Sequence, residues 1–87
     1  MYFVAAYDVD ERRVAKMLKL FRQYLTWVQN SVFEGELTEA QYAELKAEAE
    51  ALMEPDHDSV IFWNVRAESY CDRETLGVER GTTGRLL

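Results

Sequence analysis

The feature that most constrains the fold is the change of hydrophobic pattern on either side of Asp8. Residues 2–7, YFVAAY, are an apolar run of strand-forming residues, as expected for a strand that is buried on both faces. Asp10 is a favourable helix N-cap, and from Glu11 to about Tyr24 the apolar residues recur at helical spacing, at Val14, Met17, Leu18 and Phe21. The chain is therefore predicted to begin with a buried strand that is followed closely by an amphipathic helix.

The next segments repeat this alternation. Residues 25–37, LTWVQNSVFEGEL, interleave β-branched and aromatic residues with turn formers, which predicts two short strands with a bend near Gln29 and Asn30. Thr38 and Gln41 have the spacing of a capping box and predict the start of a second helix. The buried face of that helix is expected to carry Tyr42, Leu45, Ala49 and Leu52.

The last part of the chain adds at least one strand. Pro55 is expected to end the second helix, and residues 58–65, DSVIFWNV, are the most strand-like segment of the sequence. A loop is predicted at 66–74, and TLGVE at 75–79 is compatible with a short edge strand. The predicted fold is an α+β, ferredoxin-like β-α-β-β-α-β sandwich, with a fifth C-terminal edge strand left open.

Length and cysteine content limit how such a chain can be stabilised. A single domain of residues 1–80 with a flexible tail at 81–87 buries only a modest core, so a homo-oligomer is expected. The only cysteine, Cys71, has no partner for a disulfide within the chain. The first residues lack a basic region and reach a charge at Asp8, which argues against a signal peptide or a membrane span. A soluble, cytoplasmic protein is predicted.

Charge is distributed unevenly. The net charge of −6 argues against a general binder of polyanions. Nevertheless the first helix carries a basic, solvent-exposed stripe of Arg12, Lys16 and Lys19 with Gln23, whereas residues 34–58 hold nine acidic residues and one lysine. One basic surface and one acidic surface are expected.

Taken alone, the residues indicate little specific chemistry. His57 lies in an acidic turn, and no second His or Cys stands at ligand spacing, so it is interpreted as a loop residue. No nucleophile–base pair, phosphate-binding loop or dinucleotide-binding motif is present in the sequence. An aspartate between a strand and a helix, such as Asp8, is most often a cap or turn residue, and a metal-binding role is the alternative.

Several of these motifs together resemble the Cas2 family of CRISPR-associated proteins. The resemblance rests on YD at the end of the first strand, a basic first helix, the run VQNSVFEGELT and the later strand DSVIFWNV, and it covers roughly residues 2–78. The SVFEGELT stretch at 31–38 is the most distinctive of these motifs. The family is known as a CRISPR adaptation subunit and as an endoribonuclease.

The resemblance implies a symmetric homodimer in which the first strand of each subunit delivers Asp8 to the two-fold axis. Two facing carboxylates either share a proton or hold a cation, and Mg²⁺ commonly uses only one or two carboxylates together with waters. Asp8 is therefore predicted as the catalytic residue and as the ligand of Mg²⁺, for which Mn²⁺ is an alternative.

The resemblance also suggests further site residues. Arg13 matches an arginine of nuclease members of the family, and Arg12, Arg13, Lys16 and Lys19 are expected to bind nucleic acid. Paired with Asp10 or Glu11, the two arginines could equally form an ordinary solvated helix face. Phe33 matches a family aromatic that lies near the site, although an isolated strand aromatic is more often part of the core.

One departure from the family pattern concerns the residue before Val28. Nuclease members often carry a basic residue there, whereas this chain has Trp27. The indole could stack on an exposed base, or it could be buried or face the dimer partner.

The predicted function is CRISPR adaptation with Mg²⁺-dependent endonuclease activity on single-stranded RNA or duplex DNA. The alternative is a non-catalytic adaptor that bridges dimers of the CRISPR integrase and supports the DNA duplex through its backbone. A ferredoxin-like domain that binds RNA by stacking is less favoured, because neither central strand carries the aromatic motif typical of such domains.

Overall fold

The computed structural model describes residues 1–67 and 70–78. Two helices and five strands follow in the order β1 (Tyr2–Asp8), α1 (Glu11–Arg22), β2 (Thr26–Gln29), β3 (Val32–Glu36), α2 (Glu39–Leu52), β4 (Ser59–Ala67) and β5 (Tyr70–Gly77). The strands form one sheet in the order β2-β3-β1-β4-β5, and each neighbouring pair is antiparallel. The predicted ferredoxin-like α+β fold is confirmed. The predicted tail at 81–87 and the domain boundary at residue 80 lie outside the described residues.

The fifth strand is longer than the sequence pattern predicts. Residues 66–74 were expected to form a loop, but β4 continues to Ala67 and β5 begins at Tyr70, so this prediction is wrong. Register pairs Asn64 with Asp72 and Trp63 with Arg73. An edge strand tolerates charged side chains because one of its edges faces solvent. The polar sequence of β5 therefore resembles that of a loop.

Both helices pack on one face of the sheet. The core beneath them is rich in phenylalanine, with ring centroids of Phe21 5.4 Å from Phe33 and 6.0 Å from Phe62. Met17, Leu20 and Phe21 of α1 are buried there, together with Leu45 and Ala49 of α2. Not all positions expected on the buried helix faces are buried: Val14 is exposed, and Leu18, Tyr42 and Leu52 are only half-buried. The predicted capping box of α2 is confirmed, since Gln41 N donates to Thr38 Oγ1 (3.1 Å) and Thr38 N to Gln41 Oε1 (2.9 Å).

Neither α1 nor α2 lies over the opposite face of the sheet. In β1 the residues Phe3, Ala5 and Tyr7 are buried, whereas the alternating Tyr2, Val4 and Ala6 are half-buried. The prediction that β1 is buried on both faces is therefore wrong for a single chain, because both helices cross on the same side. We call this second surface the open sheet face; a depression of about 210 Å³ on it is bordered by Val4, Ala6, Val28, Val32 and Trp63, together with the polar Gln29 and Glu34. In the described part of the chain, neither helix is long and apolar enough to cross a membrane.

Candidate functional site

Asp8 lies at the end of the central strand, where two clefts meet. It is the last residue of β1, pairs in register with Ser59 at the start of β4, and is exposed. One cleft, of about 430 Å³, extends from Asp8 towards Trp27, and we call it the tryptophan cleft. The other, of about 300 Å³, extends towards His57, and we call it the histidine cleft. Asp8 is thus placed where a ligand can approach it from either side of the strand end.

The turn that follows Asp8 is held by helix capping. Asp10 Oδ1 accepts hydrogen bonds from Arg12 N (2.9 Å) and from Arg12 Nε (3.0 Å). The backbone N–H of Arg12, with its guanidinium, lowers the pKa of the Asp10 carboxyl from its ordinary value. The predicted N-cap role of Asp10 is confirmed. Arg12 is exposed at the histidine cleft, so it lies beside Asp8, and its predicted contact with phosphate remains a prediction.

The buried carboxylate of Asp58 also holds the turn after Asp8 in position. Asp58 is completely buried and accepts four hydrogen bonds: from the backbone N–H groups of Asp10 (3.0 Å) and Glu54 (2.8 Å), and from Nε (2.6 Å) and Nη2 (3.0 Å) of Arg13. These bonds, those from Arg13 above all, hold the pKa of the Asp58 carboxyl well below its usual range. Asp58 therefore ties together the turn after Asp8, the first turn of α1, the end of α2 and the start of β4.

Arg13 takes part in this network rather than facing open solvent. Its side chain is 20% exposed, and two of its guanidinium nitrogens form a fork with Asp58. The sequence suggested Asp10 or Glu11 as its partners, but the partner lies 45 residues away. Two of the five guanidinium N–H donors are used by this pair, so the structure gives Arg13 a positioning role. Phosphate binding by Arg13 remains a prediction.

Gly77 allows β5 to approach this network closely. Its φ is +79°, and a Cβ atom built on it would lie 2.1 Å from the backbone oxygen of Asp58. The same oxygen accepts a hydrogen bond from Val78 N at 2.9 Å. Glycine is required here both by conformation and by space.

The basic stripe of α1 divides between two surfaces. Lys16 and Lys19 are exposed but border a groove between the two helices, together with Glu48, and do not line either cleft at Asp8. Arg22 lies outside the predicted basic stripe, yet it lines the tryptophan cleft. Burial raises the pKa of the Tyr7 hydroxyl in that cleft, and the nearby positive charge of Arg22 partly opposes this shift. A spacing of four residues, through Val14, Leu18 and Arg22, places these side chains along one side of α1.

Phe33 lies in the core rather than on a cleft surface. It is fully buried, and its ring centroid is 6.0 Å from that of Tyr7, which itself lines the tryptophan cleft. The predicted position of Phe33 as a site-lining residue is thus corrected to one behind the cleft wall. The physical reason is that Phe33 alternates on β3 towards the helices, where Phe21 packs against it.

His57 is brought to the site by the chain reversal after α2. It is exposed, and it lines the histidine cleft with Asp8, Asp10 and Arg12. Its backbone N–H donates to Glu54 O at 3.0 Å, within the turn that leads to Asp58. The sequence correctly suggested a loop histidine, but proximity to Asp8 depends on the long-range fold and has no local signal.

The described part of one chain does not bring several metal ligands together. Across residues 1–67 and 70–78, no group of three or more His, Cys, Asp or Glu side chains could hold a metal ion together. One subunit offers Asp8 alone at the junction of the clefts. A divalent cation that uses one or two carboxylates and several waters could be held by Asp8, and a second copy would contribute a second Asp8.

Comparison with known proteins shows one consistent likeness. Residues 1–73 match the family model described as CRISPR associated protein Cas2. The chain is 50% identical over 87 residues to a protein of Thermotoga maritima and 45% identical to one of Dictyoglomus turgidum, with both chains covered completely in each case, and both relatives are named CRISPR-associated endoribonuclease Cas2. A crystal structure of Cas2 superposes with a TM-score of 0.73 at 36% identity, covering 100% of this chain and 98% of that one.

Proposed function

Because the chain belongs to the CRISPR-associated Cas2 family, we propose that it is a metal-dependent endonuclease of CRISPR adaptation, with Asp8 as its catalytic carboxylate. The observation that carries this proposal is the position of Asp8, exposed at the end of the central strand where two open clefts meet. The name endoribonuclease, which the relatives carry, supports cleavage of RNA by this chain. Duplex DNA is the alternative substrate.

The proposal includes a homodimer, which the open sheet face supports. Val28 is 44% exposed on this face, and Val4, Ala6 and Val32 are half-buried there, so apolar side chains keep surface in contact with solvent. A second copy would cover this surface and add a second Asp8 carboxylate to the proposed metal site.

Two Asp8 carboxylates would hold Mg²⁺, or Mn²⁺, which accepts the same oxygen ligands. When bound, such a cation polarises the phosphate and lowers the pKa of a coordinated water. Residues of the chain itself would bind and position the substrate. Arg12 and Arg22 place positive charge in the two clefts beside Asp8, and Asp58 holds the turn after Asp8 in position. Since these two arginines are exposed, they can bind phosphate oxygens along an extended strand.

The location of two lysines favours a second candidate function. Lys16 and Lys19 face the groove between the helices, away from both clefts at Asp8. Basic residues remote from a catalytic carboxylate suit a non-catalytic adaptor that bridges CRISPR integrase dimers and supports duplex DNA through its backbone. Such an adaptor would tolerate the loss of Asp8.

A cleavage assay separates the two functions. Labelled single-stranded RNA and duplex DNA would be incubated with the purified protein in Mg²⁺, in Mn²⁺ and in excess chelator, and the oligomeric state would be measured by light scattering. We expect a dimer that cleaves at least one polymer only when a divalent cation is present. A dimer that binds duplex DNA but cleaves neither polymer with either cation would contradict the nuclease proposal and support the adaptor.

A further inference from the structure

The tryptophan cleft carries a surface that the proposed cleavage does not by itself explain. Beside Asp8 it exposes two apolar side chains, Trp27 (48% exposed) and Val14 (39% exposed), and one cation, Arg22. Its volume of about 430 Å³ lies in the range of ligand-binding clefts. An exposed indole in a partly apolar cleft next to a positive charge is the combination by which proteins hold single-stranded nucleic acid.

The indole of Trp27 is held in a defined position. Its Nε1 donates a hydrogen bond to the backbone oxygen of Asn30 at 2.9 Å, across the turn between β2 and β3. Asn30 has a φ of +47°, a conformation that asparagine tolerates better than most residues. The polar atom of the side chain is therefore already bonded within the turn, and what remains for a ligand is the aromatic surface.

Trp27 also lies away from the surface expected to meet a second copy. It pairs in register with Phe33, whose side chain is in the core on the helix side of the sheet. Val28, the next residue, borders the depression on the open sheet face instead. Sheet-to-sheet contact would thus cover Val28 and leave the indole of Trp27 accessible beside α1.

The neighbouring charges favour a nucleic acid over an apolar peptide as the occupant. Arg22 lies at the last turn of α1 and faces the same cleft as Trp27, so a phosphate next to a stacked base would meet a cation. Asp8 lies in this cleft as well, which makes it continuous with the candidate catalytic site. Duplex DNA keeps its bases stacked on one another, whereas a single strand can place a base on the indole.

We infer that the tryptophan cleft is a base-binding subsite in which Trp27 stacks on an unpaired nucleobase while Arg22 binds the adjoining phosphate. This inference rests on the proposed function, because it assigns single-stranded nucleic acid, rather than a duplex, to the site at Asp8. RNA and DNA share this chemistry, and both are therefore included in the test.

Binding in the presence of a chelator tests the subsite without any cleavage. Fluorescence anisotropy would be measured with labelled single-stranded RNA, single-stranded DNA of the same sequence, an abasic oligonucleotide of equal length and duplex DNA. Two variants are compared with wild type: Trp27→Leu, which keeps apolar volume but loses the aromatic ring, and Trp27→Phe, which keeps a ring but loses the bond to Asn30. Thermal melting establishes that both variants are folded.

We expect Trp27→Leu to weaken binding of the single strands about 5- to 150-fold, the usual range for one stacked base, and Trp27→Phe to weaken it much less. Affinity for the abasic oligonucleotide and for duplex DNA should be the same in all three proteins. Equal binding of single strands by wild type and Trp27→Leu, or an equal loss in both folded variants, would overturn the inference. So would failure of wild type to prefer the single strand over its abasic counterpart. If stacking is confirmed but Mg²⁺ produces no cleavage, the proposed function fails while the subsite remains.

Discussion

Asp8→Asn is expected to abolish metal-dependent cleavage while leaving the fold and the dimer intact. The substitution keeps the size of the side chain but removes the negative charge that would hold the cation at the junction of the two clefts. Stabilisation by a catalytic metal is worth several kcal/mol, so the expected loss of rate is at least about 100-fold. The measurement is the initial rate of cleavage of the preferred polymer, with light scattering and thermal melting on the same samples.

Asp10→Asn is the matched control for this result. It makes the same chemical change two residues further along the chain, and asparagine is as good an N-cap as aspartate. Asp10→Asn should therefore keep most of the cleavage activity. Wild-type rates in Asp8→Asn, or the same loss in both variants, would show that Asp8 has no special role.

Asp58→Ala is expected to lower the free energy of unfolding by about 3 kcal/mol. Removing one partner of a buried ion pair typically costs about 3–5 kcal/mol, because the other charge and its hydrogen-bond donors are left unsatisfied. The lower end applies here, since the Arg13 side chain keeps 20% of its surface in contact with solvent. Urea denaturation measures the change. Asp56→Ala, an exposed acidic residue in the same turn, should change stability by less than about 0.5 kcal/mol.

The same network predicts how stability depends on pH. The pKa of the Asp58 carboxyl is held well below its ordinary value in the folded chain, chiefly by the hydrogen bond from Arg13. Its stabilising contribution is therefore present above the unfolded pKa of about 3.9 and is lost as pH falls below that value. Asp58→Asn cannot titrate, so its unfolding free energy should fall less steeply than that of wild type below about pH 4. If the unfolding free energies of the two proteins fell equally steeply below about pH 4, this assignment to Asp58 would be wrong.

Local sequence pattern predicted most of the fold because most of its elements are locally encoded. The N-cap at Asp10 and the capping box of Thr38 with Gln41 are made by residues two or three positions apart, and both are present. The hairpin of β4 and β5 was not predicted, because its polar residues are also typical of a loop. Arg66 and Asp72, which form an ion pair across the two strands, are an example. Burial on one face of β1 only was also missed, because it depends on which side both helices cross.

The candidate site was less predictable than the fold, since its residues meet through long-range contacts. Asp8 could be named from the family resemblance, but the pairing of Arg13 with Asp58 joins residues 45 positions apart. Helical spacing could have assigned Arg22 to the cleft, because it continues the line of Val14 and Leu18 along α1. The same spacing places Lys16 and Lys19 on another side of the helix, where they border the groove with Glu48.

The most direct test of the central claim, a divalent cation held by Asp8 from two subunits, is a titration with Mn²⁺ followed by electron paramagnetic resonance. Wild-type protein and Asp8→Asn would be titrated under identical conditions, and bound metal would be counted per chain. Our account predicts one bound Mn²⁺ for every two wild-type chains and loss of that binding in Asp8→Asn. One Mn²⁺ per chain, or the same binding in both proteins, would contradict it.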